Sequence, residues 1–305
     1  MNMKMIARVV AAAGVGVSLA SYASAKTFTV MPGPGTPLQD AIDAAAPNDT
    51  LRLTAGTYPE AIVVNKALKI FGNRSTINAG CGALAAVTIA ADDVSIDRIT
   101  AWGGTLYEVD IQNRDHVTLN IVLTSPSCPG VARGINAINT TRLLVKNGSY
   151  TTYDIDMNHA GNCPPFPNSR DFGEAAIFVG ATPAGGKARL LTNHACGVGT
   201  AILLEDTIAT AGGQPTVTVR KSDLFENGRG IVLHNSDDAA IRSNVVSNVL
   251  GGSTVGIEVD AGSDDNVLAQ NKVDGYPTDV SDAGSSNCWR SNTFTTGSVP
   301  ATGCP

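Results

Sequence analysis

The chain has 305 residues and a formal net charge of −6 at pH 7; only 5% of its residues are aromatic and 16% charged, while 32 are glycine. An acidic balance argues against nucleic acid as a partner and gives no general attraction for anionic polymers, although a local basic patch can override it. Few aromatics and many glycines suit numerous short strands and tight turns better than long helices.

The first residues, MNMKMIARVVAAAGVGVSLASYASA, place Lys4 and Arg8 ahead of an apolar run from Val9 to Ala20 and end on Ala23-Ser24-Ala25. A charged start, an apolar run too short for a bilayer and an A-x-A site predict a signal peptide over 1–25, cleaved near Ala25. The mature chain, 26–305, is then secreted or periplasmic. Losing two cations takes its charge from −6 to −8. No later stretch reaches membrane-spanning length, so no membrane partner is expected. Six cysteines exported to an oxidising compartment predict three disulfides. A zinc site has little support, because no CxxC pair is present and the four histidines are scattered.

TPLQDAIDAAAP (36–47) predicts one helix over 36–46. Thr36 is its N-cap, Pro37 takes the first helical position and Gln39 completes a capping box. Leu38, Ala41, Ile42 and Ala45 make one apolar stripe, and Pro47 stops the helix. GTYPEAIVVNKALKIFGN (56–73) then holds two short Val- and Ile-rich runs on either side of Lys66. Both read as strands meeting at a corner.

From residue 86 a tetrad recurs: AVTI (86–89), GINA (134–137), AIFV (176–179), AILL (201–204), GIVL (230–233) and GIEV (256–259). TLYEVDI (105–111) and YDIDM (153–157) fit between them less cleanly. Spacings of roughly 20 to 29 residues are those of a solenoid. A second pattern sets Asn or Asp between apolar residues, as in VSIDRI (94–99), VTLNIV (117–122), IRSNVV (241–246), LAQNKV (268–273) and WRSNTF (289–294). A polar residue at one fixed place per repeat predicts a turn whose side chain bonds the backbone, or its own equivalent one repeat away. Leucine-rich repeats are excluded by the missing Leu-x-x-Leu-x-Leu, and propellers by the lack of four strands per unit. The fold expected is all-β: a single-stranded, right-handed parallel β-helix, capped by the helix at one end and by 285–305 at the other. Each coil lies about 4.8 Å above the last.

LQDAIDAAAPNDTLRLTAGTYPEAIVVNKALKIFGN resembles the opening of the pectin-lyase-like superfamily of parallel β-helix proteins. Gly56, Tyr58 and Glu60 are similar to the GxYxE of pectin methylesterases. The later Gln-Asp and Asp-Phe-x-x-Gly signatures of those enzymes are missing, and so is the Asp-Pro-His-Asp of mannuronan epimerases. The resemblance therefore implies the fold and a polysaccharide partner without a specific activity. The Asn-bearing coils are also similar to those of periplasmic copper-maturation proteins, but few His and Met leave copper no ligand cluster.

Aligning the tetrads puts the residue after each one in an outward column: Ala90, Asp110, Ile138, Asp156, Gly180, Glu205, His234 and Asp260. Glu205, His234 and Asp260 are then neighbours on successive coils. Carboxylates beside a His raise its pKa and orient it as a general acid or base, which makes these three the candidate catalytic residues. The competing reading is a hydrated polar ladder on an exposed sheet. Phe178, Leu203 and Val232 face outward beside them as an apolar strip, with the long connection 156–174 as a candidate cover. Arg170 in that loop, with Arg133, would neutralise a uronate carboxylate; Asp156 and Phe178 complete the candidate substrate contacts. The pairs Asp92–Asp93, Asp237–Asp238 and Asp264–Asp265 read as turn residues, calcium being their alternative, so no cofactor is expected.

Coil spacing pairs Cys163 with Cys196, which precede adjacent coils, and Cys288 with Cys304 at the C-terminal end. Cys81 is left with Cys128, reaching past the 105–111 strand. The function expected is a monomeric exported protein that binds a polysaccharide and cleaves or modifies it as a lyase, epimerase or hydrolase. The alternative is a non-catalytic surface or periplasmic scaffold.

Overall fold

A computed structural model describes residues 24–126, 128–151, 173–183, 185–207, 216–249, 253–299 and 304. Alternating Val, Ile and Leu force the chain to bury one side of each short strand, and a parallel coil stacked on the previous one does this at every turn. The strands pair in parallel, forming a β-solenoid of about 9 turns. Because Lys69–Ile89 and Ser95–Gln112 run around the corners, they make one continuous sheet with three faces, called the first, second and third sheets. The first sheet carries the tetrads and runs from Ile62–Val64 through Arg133–Ile138, Ala175–Gly180, Thr200–Glu205 and Arg229–His234 to Thr278–Asp282. The second starts at Thr27–Val30 and ends at Cys288–Arg290. The third starts at Thr57–Tyr58 and reaches Lys272–Asp274. Ile177, Ile202, Ile231, Ile257 and Val280 are paired rung to rung and fully buried, one stripe of a continuous interior core. This is the all-β parallel β-helix expected.

The corner between the second and third sheets repeats one backbone device. Arg98, Ile121, Asn147, Thr192, Lys221, Ser243, Gln270 and Ser291 all have φ between 52° and 58°. For L-residues this left-handed conformation costs roughly 1–2 kcal/mol, so the stacked hydrogen bonds around it must hold it. They include a buried ladder. Asn271 Oδ1 accepts from Asn244 N (3.1 Å) and Asn244 Nδ2 (3.0 Å), and Asn292 Oδ1 accepts from Asn271 N (2.9 Å) and Asn271 Nδ2 (3.0 Å). Each amide also donates to a carbonyl one coil away, Asn244 to Val219 and Asn271 to Ile241. The expected coil-to-coil amide contact is present at 244, 271 and 292. Asp97 and Asn120 stand one place before the left-handed residue instead, and Asn120 Nδ2 donates to Asp97 outside the core (2.7 Å).

The capping helix is Pro37–Ala44, with Leu38 and Ile42 fully buried on the first coil. Its predicted capping box does not form: Thr36 makes no side-chain cap bond. Buried Glu60 caps the helix instead, taking Leu38 N and Gln39 N at 2.8 Å each. The carboxylate meets the positive end of the helix dipole there, which accounts for the acid of the Gly-x-Tyr-x-Glu stretch. Gln39 is diverted to the edge of the first sheet, where its amide pairs with both Val63 N and Val63 O.

Disulfides Cys81–Cys128 and Cys288–Cys304 are formed, with Cα atoms 5.7 and 4.7 Å apart. Cys196 is disulfide-bonded, and its expected partner Cys163 lies outside the described residues. Such bonds are the chemistry of an oxidising compartment. The expected coil at 153–157 is corrected by the pairing: Ile135 lies against Ile177 and Ile138 against Gly180, so no rung separates them. Asp156 therefore cannot stand between Ile138 and Gly180 in the column; the residue itself is outside the described ones.

Candidate functional site

On the first sheet the backbone pairs Gly180 with Glu205 and Glu205 with His234, so these are successive members of one outward column. Asp260 follows the strand Val255–Val259 one coil on, and its N–H bonds Leu233 O (3.1 Å). Asp110 does not belong to this column. It pairs with Thr88 and Asn136, which puts it two residues over, in line with Phe178. The slip comes from 105–111, where the pairing with the preceding strand is irregular.

His234 Nδ1 lies 2.5 Å from Asp260 Oδ2, with side chains 58% and 29% exposed. The other Asp260 oxygen accepts from Ser263 Oγ (2.7 Å), Gly262 N (3.1 Å) and Asn235 N (3.2 Å). Partial burial pushes the carboxyl up, but these donors and His234 together outweigh it and hold Asp260 below its ordinary range. Asp260 is thus a fixed anion that orients one imidazole nitrogen. Glu205, on the preceding rung, is half-buried and makes no side-chain hydrogen bond or ion pair among the described residues.

Phe178, Leu203 and Val232 do face away from the interior, but they are not an exposed strip. They are 4%, 7% and 5% exposed and form, with Ala175, a second apolar cluster outside the coil core. Arg133 contributes to the cover, its guanidinium 3.3 Å from the centre of the Phe178 ring. The remainder of the expected cover, 156–172, lies outside the described residues, and Arg170 with it. Arg133 itself is held by Glu174 through Nε (2.6 Å) and Nη2 (2.8 Å) and by Asn136 Oδ1 (2.5 Å). Asn136 in turn donates to Asp110 (2.6 Å). Most of the Arg133 fork is therefore spent inside the protein.

A different arginine is open. Arg229 occupies the same backbone column as Thr200, to whose hydroxyl its Nε donates (3.1 Å). Among the described residues its only ion pair is a 3.7 Å approach to Glu258, with both side chains about two-fifths exposed (41% and 37%). Attention to the tetrads alone misses it, yet a signal was present: an Arg-Gly pair begins both ARGINA (132–137) and GRGIVL (228–233).

The Asp pairs are turn residues. Asp92 accepts from Asp115 N, Asp237 from Asp264 N and Asp264 from Ser285 N, while Asp93, Asp238 and Asp265 take the left-handed conformation. Among the described residues, no group of three or more His, Cys, Asp or Glu has metal-binding geometry, and no helix is long and apolar enough to cross a membrane.

No protein-family model matches the chain, and no curated protein matches it. Among solved structures it is similar to an alginate lyase from Paenibacillus sp. strain FPU-7, with a TM-score of 0.56 and 14% identity over 88% of this chain and 95% of that one. A surface adhesin of Streptococcus pneumoniae matches with a TM-score of 0.43 and 13% identity, covering 88% and 90%. The A-module of a mannuronan C-5 epimerase from Azotobacter vinelandii matches with a TM-score of 0.44 and 11% identity, covering 88% and 93%. At such identities the likeness is one of fold. The chain folds as a parallel β-helix, as that alginate lyase does, which bears out the fold implied by the resemblance of its opening segment.

Proposed function

We propose that the protein binds a polysaccharide along the outer face of its first sheet, and that His234 carries out acid–base chemistry on the bound chain. The observation that carries this reading is the placement of Glu205, His234 and Asp260 on three consecutive rungs, with His234 Nδ1 bonded to Asp260. An imidazole held through one nitrogen presents the other as donor or acceptor. Glu205 supplies a second carboxylate one coil away. Arg229, at the other end of the strand from His234, takes the carboxylate of a neighbouring uronate in the bound chain in place of the expected Arg133, since among the described residues part of its fork has no partner. His234 takes or returns the proton on the carbon beside a uronate carboxylate, the step shared by lyases and epimerases, while Arg229 anchors the chain. The chemistry uses only the chain's own side chains, with no cofactor. Export, with the disulfides suited to it, places the protein where such polymers occur.

One observation favours the scaffold alternative. His116 Nδ1 and Asp93 Oδ1 form a similar pair at 2.6 Å on an exposed turn, so a His–Asp contact can serve a corner alone. The test is to incubate mature protein with alginate and polygalacturonate, following unsaturated product by ultraviolet absorbance and epimer content by NMR. His234→Ala should remove activity and His116→Ala should leave it. Turnover that survives His234→Ala ends the catalytic reading; binding of the polymers without turnover supports the scaffold.

A further inference from the structure

Away from the first sheet, a cleft of about 350 Å³ lies over the opening coils, at the second sheet's outer surface and its corner with the third. It is lined by Thr29, Arg52, Thr54, Phe71, Asn73 and Arg98, above buried Leu53. Thr29, Arg52 and Phe71 are direct partners on three successive rungs, so their side chains form one outward row. The volume falls within the ~300–1,000 Å³ usual for small-molecule sites.

Its charge is unusual for an acidic chain. Arg52 is exposed and lies over the Phe71 ring, 5.2 Å from its centre, and among the described residues it has no hydrogen bond or ion pair to an acid. Arg98 is 61% exposed and among the described acids approaches only Asp97, at 3.8 Å, and that acid already accepts from Asn120 (2.7 Å). Two guanidinium groups thus flank one cleft with most of their donors unspent. The Thr29 hydroxyl and the Asn73 amide add polar groups at the rim, and Phe71 adds an apolar surface.

We propose that this cleft is a separate binding site for a carboxylated sugar of an acidic polysaccharide. Arg52 and Arg98 take the carboxylate, Phe71 packs against the C–H face of the sugar ring, and Thr29 and Asn73 meet its hydroxyls. Arginine forks match a planar carboxylate in two parallel hydrogen bonds. An aromatic beside them selects a ring-bearing anion over a simple ion. The polysaccharide class rests on the reading in the preceding section; the carboxylate and its position are set by this cleft. The site would anchor an acidic chain away from the His234 face.

The experiment is titration of ¹⁵N-labelled mature protein with trigalacturonate and trimannuronate, with maltotriose and sodium sulfate as controls. A uronate trimer should shift the amides of Thr29, Arg52, Phe71 and Asn73. Arg52→Ala should weaken that binding at least tenfold, and Arg52→Gln, which keeps packing on Phe71, should do nearly the same. Shifts confined to the surroundings of Arg229 and His234 overturn this site and leave the first-sheet reading standing. Shifts confined to the cleft support it and remove binding from the first sheet. Equal shifts with maltotriose, reproduction by sulfate alone, or unchanged affinity in both Arg52 variants also overturn it.

Discussion

Replacing Asn271 by Ala tests whether the buried amide ladder, rather than apolar packing alone, holds the coils in register. The Asn271 side chain accepts from two donors of Asn244 and donates to Ile241 O and Asn292 Oδ1. Removing it strands Asn244 N–H and one amide hydrogen of Asn244 in a region about 1% exposed. An unsatisfied buried donor costs about 1–3 kcal/mol, so two give a loss of about 2–6 kcal/mol, centred near 4. Asn139 is the control: its amide donates to Asn113 at 2.6 Å, but on the exposed surface. Asn139→Ala should therefore cost no more than about 1 kcal/mol, and that from its left-handed φ of 50°, which Ala tolerates less well than Asn. The assay is urea unfolding followed by tryptophan fluorescence, helped by the position of both tryptophans. Trp289 lies in the C-terminal coils and donates to Asp282 Oδ2 (2.5 Å), while Trp102 reports the N-terminal end. A loss below 1 kcal/mol for Asn271→Ala, or one equal to that of Asn139→Ala, would refute the ladder argument.

Glu60→Ala should destabilise the N-terminal cap by about 2–4 kcal/mol, since it removes two charge-assisted bonds to the helix start; amide exchange at Leu38 and Gln39 would show the loss locally, and unchanged protection would contradict it. Asp260 is held below its ordinary range, so its stabilising contribution is full above about pH 4, the unfolded carboxyl value, and disappears as pH falls through the lower folded one. Asp260→Asn should therefore lower the melting temperature at pH 7, with the gap to wild type closing in acid; a gap constant down to pH 2 would rule this out. Arg229→Ala should raise KM for a uronate polymer at least tenfold while leaving the melting temperature within a few degrees, because its contacts are half-exposed.

The solenoid was legible because one physical rule, burial of alternate residues, repeats at each tetrad and leaves the same mark each time. What the repeat does not encode was harder to read. YDIDM alternates as a strand does, but alternation alone cannot tell a rung from an insertion; only the pairing of Ile135 with Ile177 decides that. Asp110 slipped by two residues because an irregular strand keeps side chains facing the same way while moving them along the row. Glu60 looked like a family signature without a task, since its partners lie 21 and 22 residues away. Thr36 and Gln39 satisfied a local capping rule, and a buried acid from the following coil displaced them. Cys288–Cys304 was readable because no other cysteine lies near the C-terminal coils, and Cys81–Cys128 followed as the pair left once the other four were assigned.

The two His–Asp pairs show what separates a corner contact from a candidate site. Asp93 and His116 are 60% and 55% exposed, so water screens their attraction on every side. The acids around them are spent: Asp92 accepts a backbone N–H, and Asp115 is bonded by Thr141 and Arg142, which hold its carboxyl far below the usual range. Asp260 is half as exposed as Asp93 and takes three further donors, so its position is fixed before His234 is considered. His234 ends a strand in the sheet instead of occupying a turn with positive φ, and its partner on the preceding rung, Glu205, makes no side-chain bond among the described residues. A ligand reaching His116 must compete with bonds already made. One reaching His234 meets an imidazole oriented from behind and a carboxylate still to be satisfied, which is why acid–base chemistry is assigned to that column.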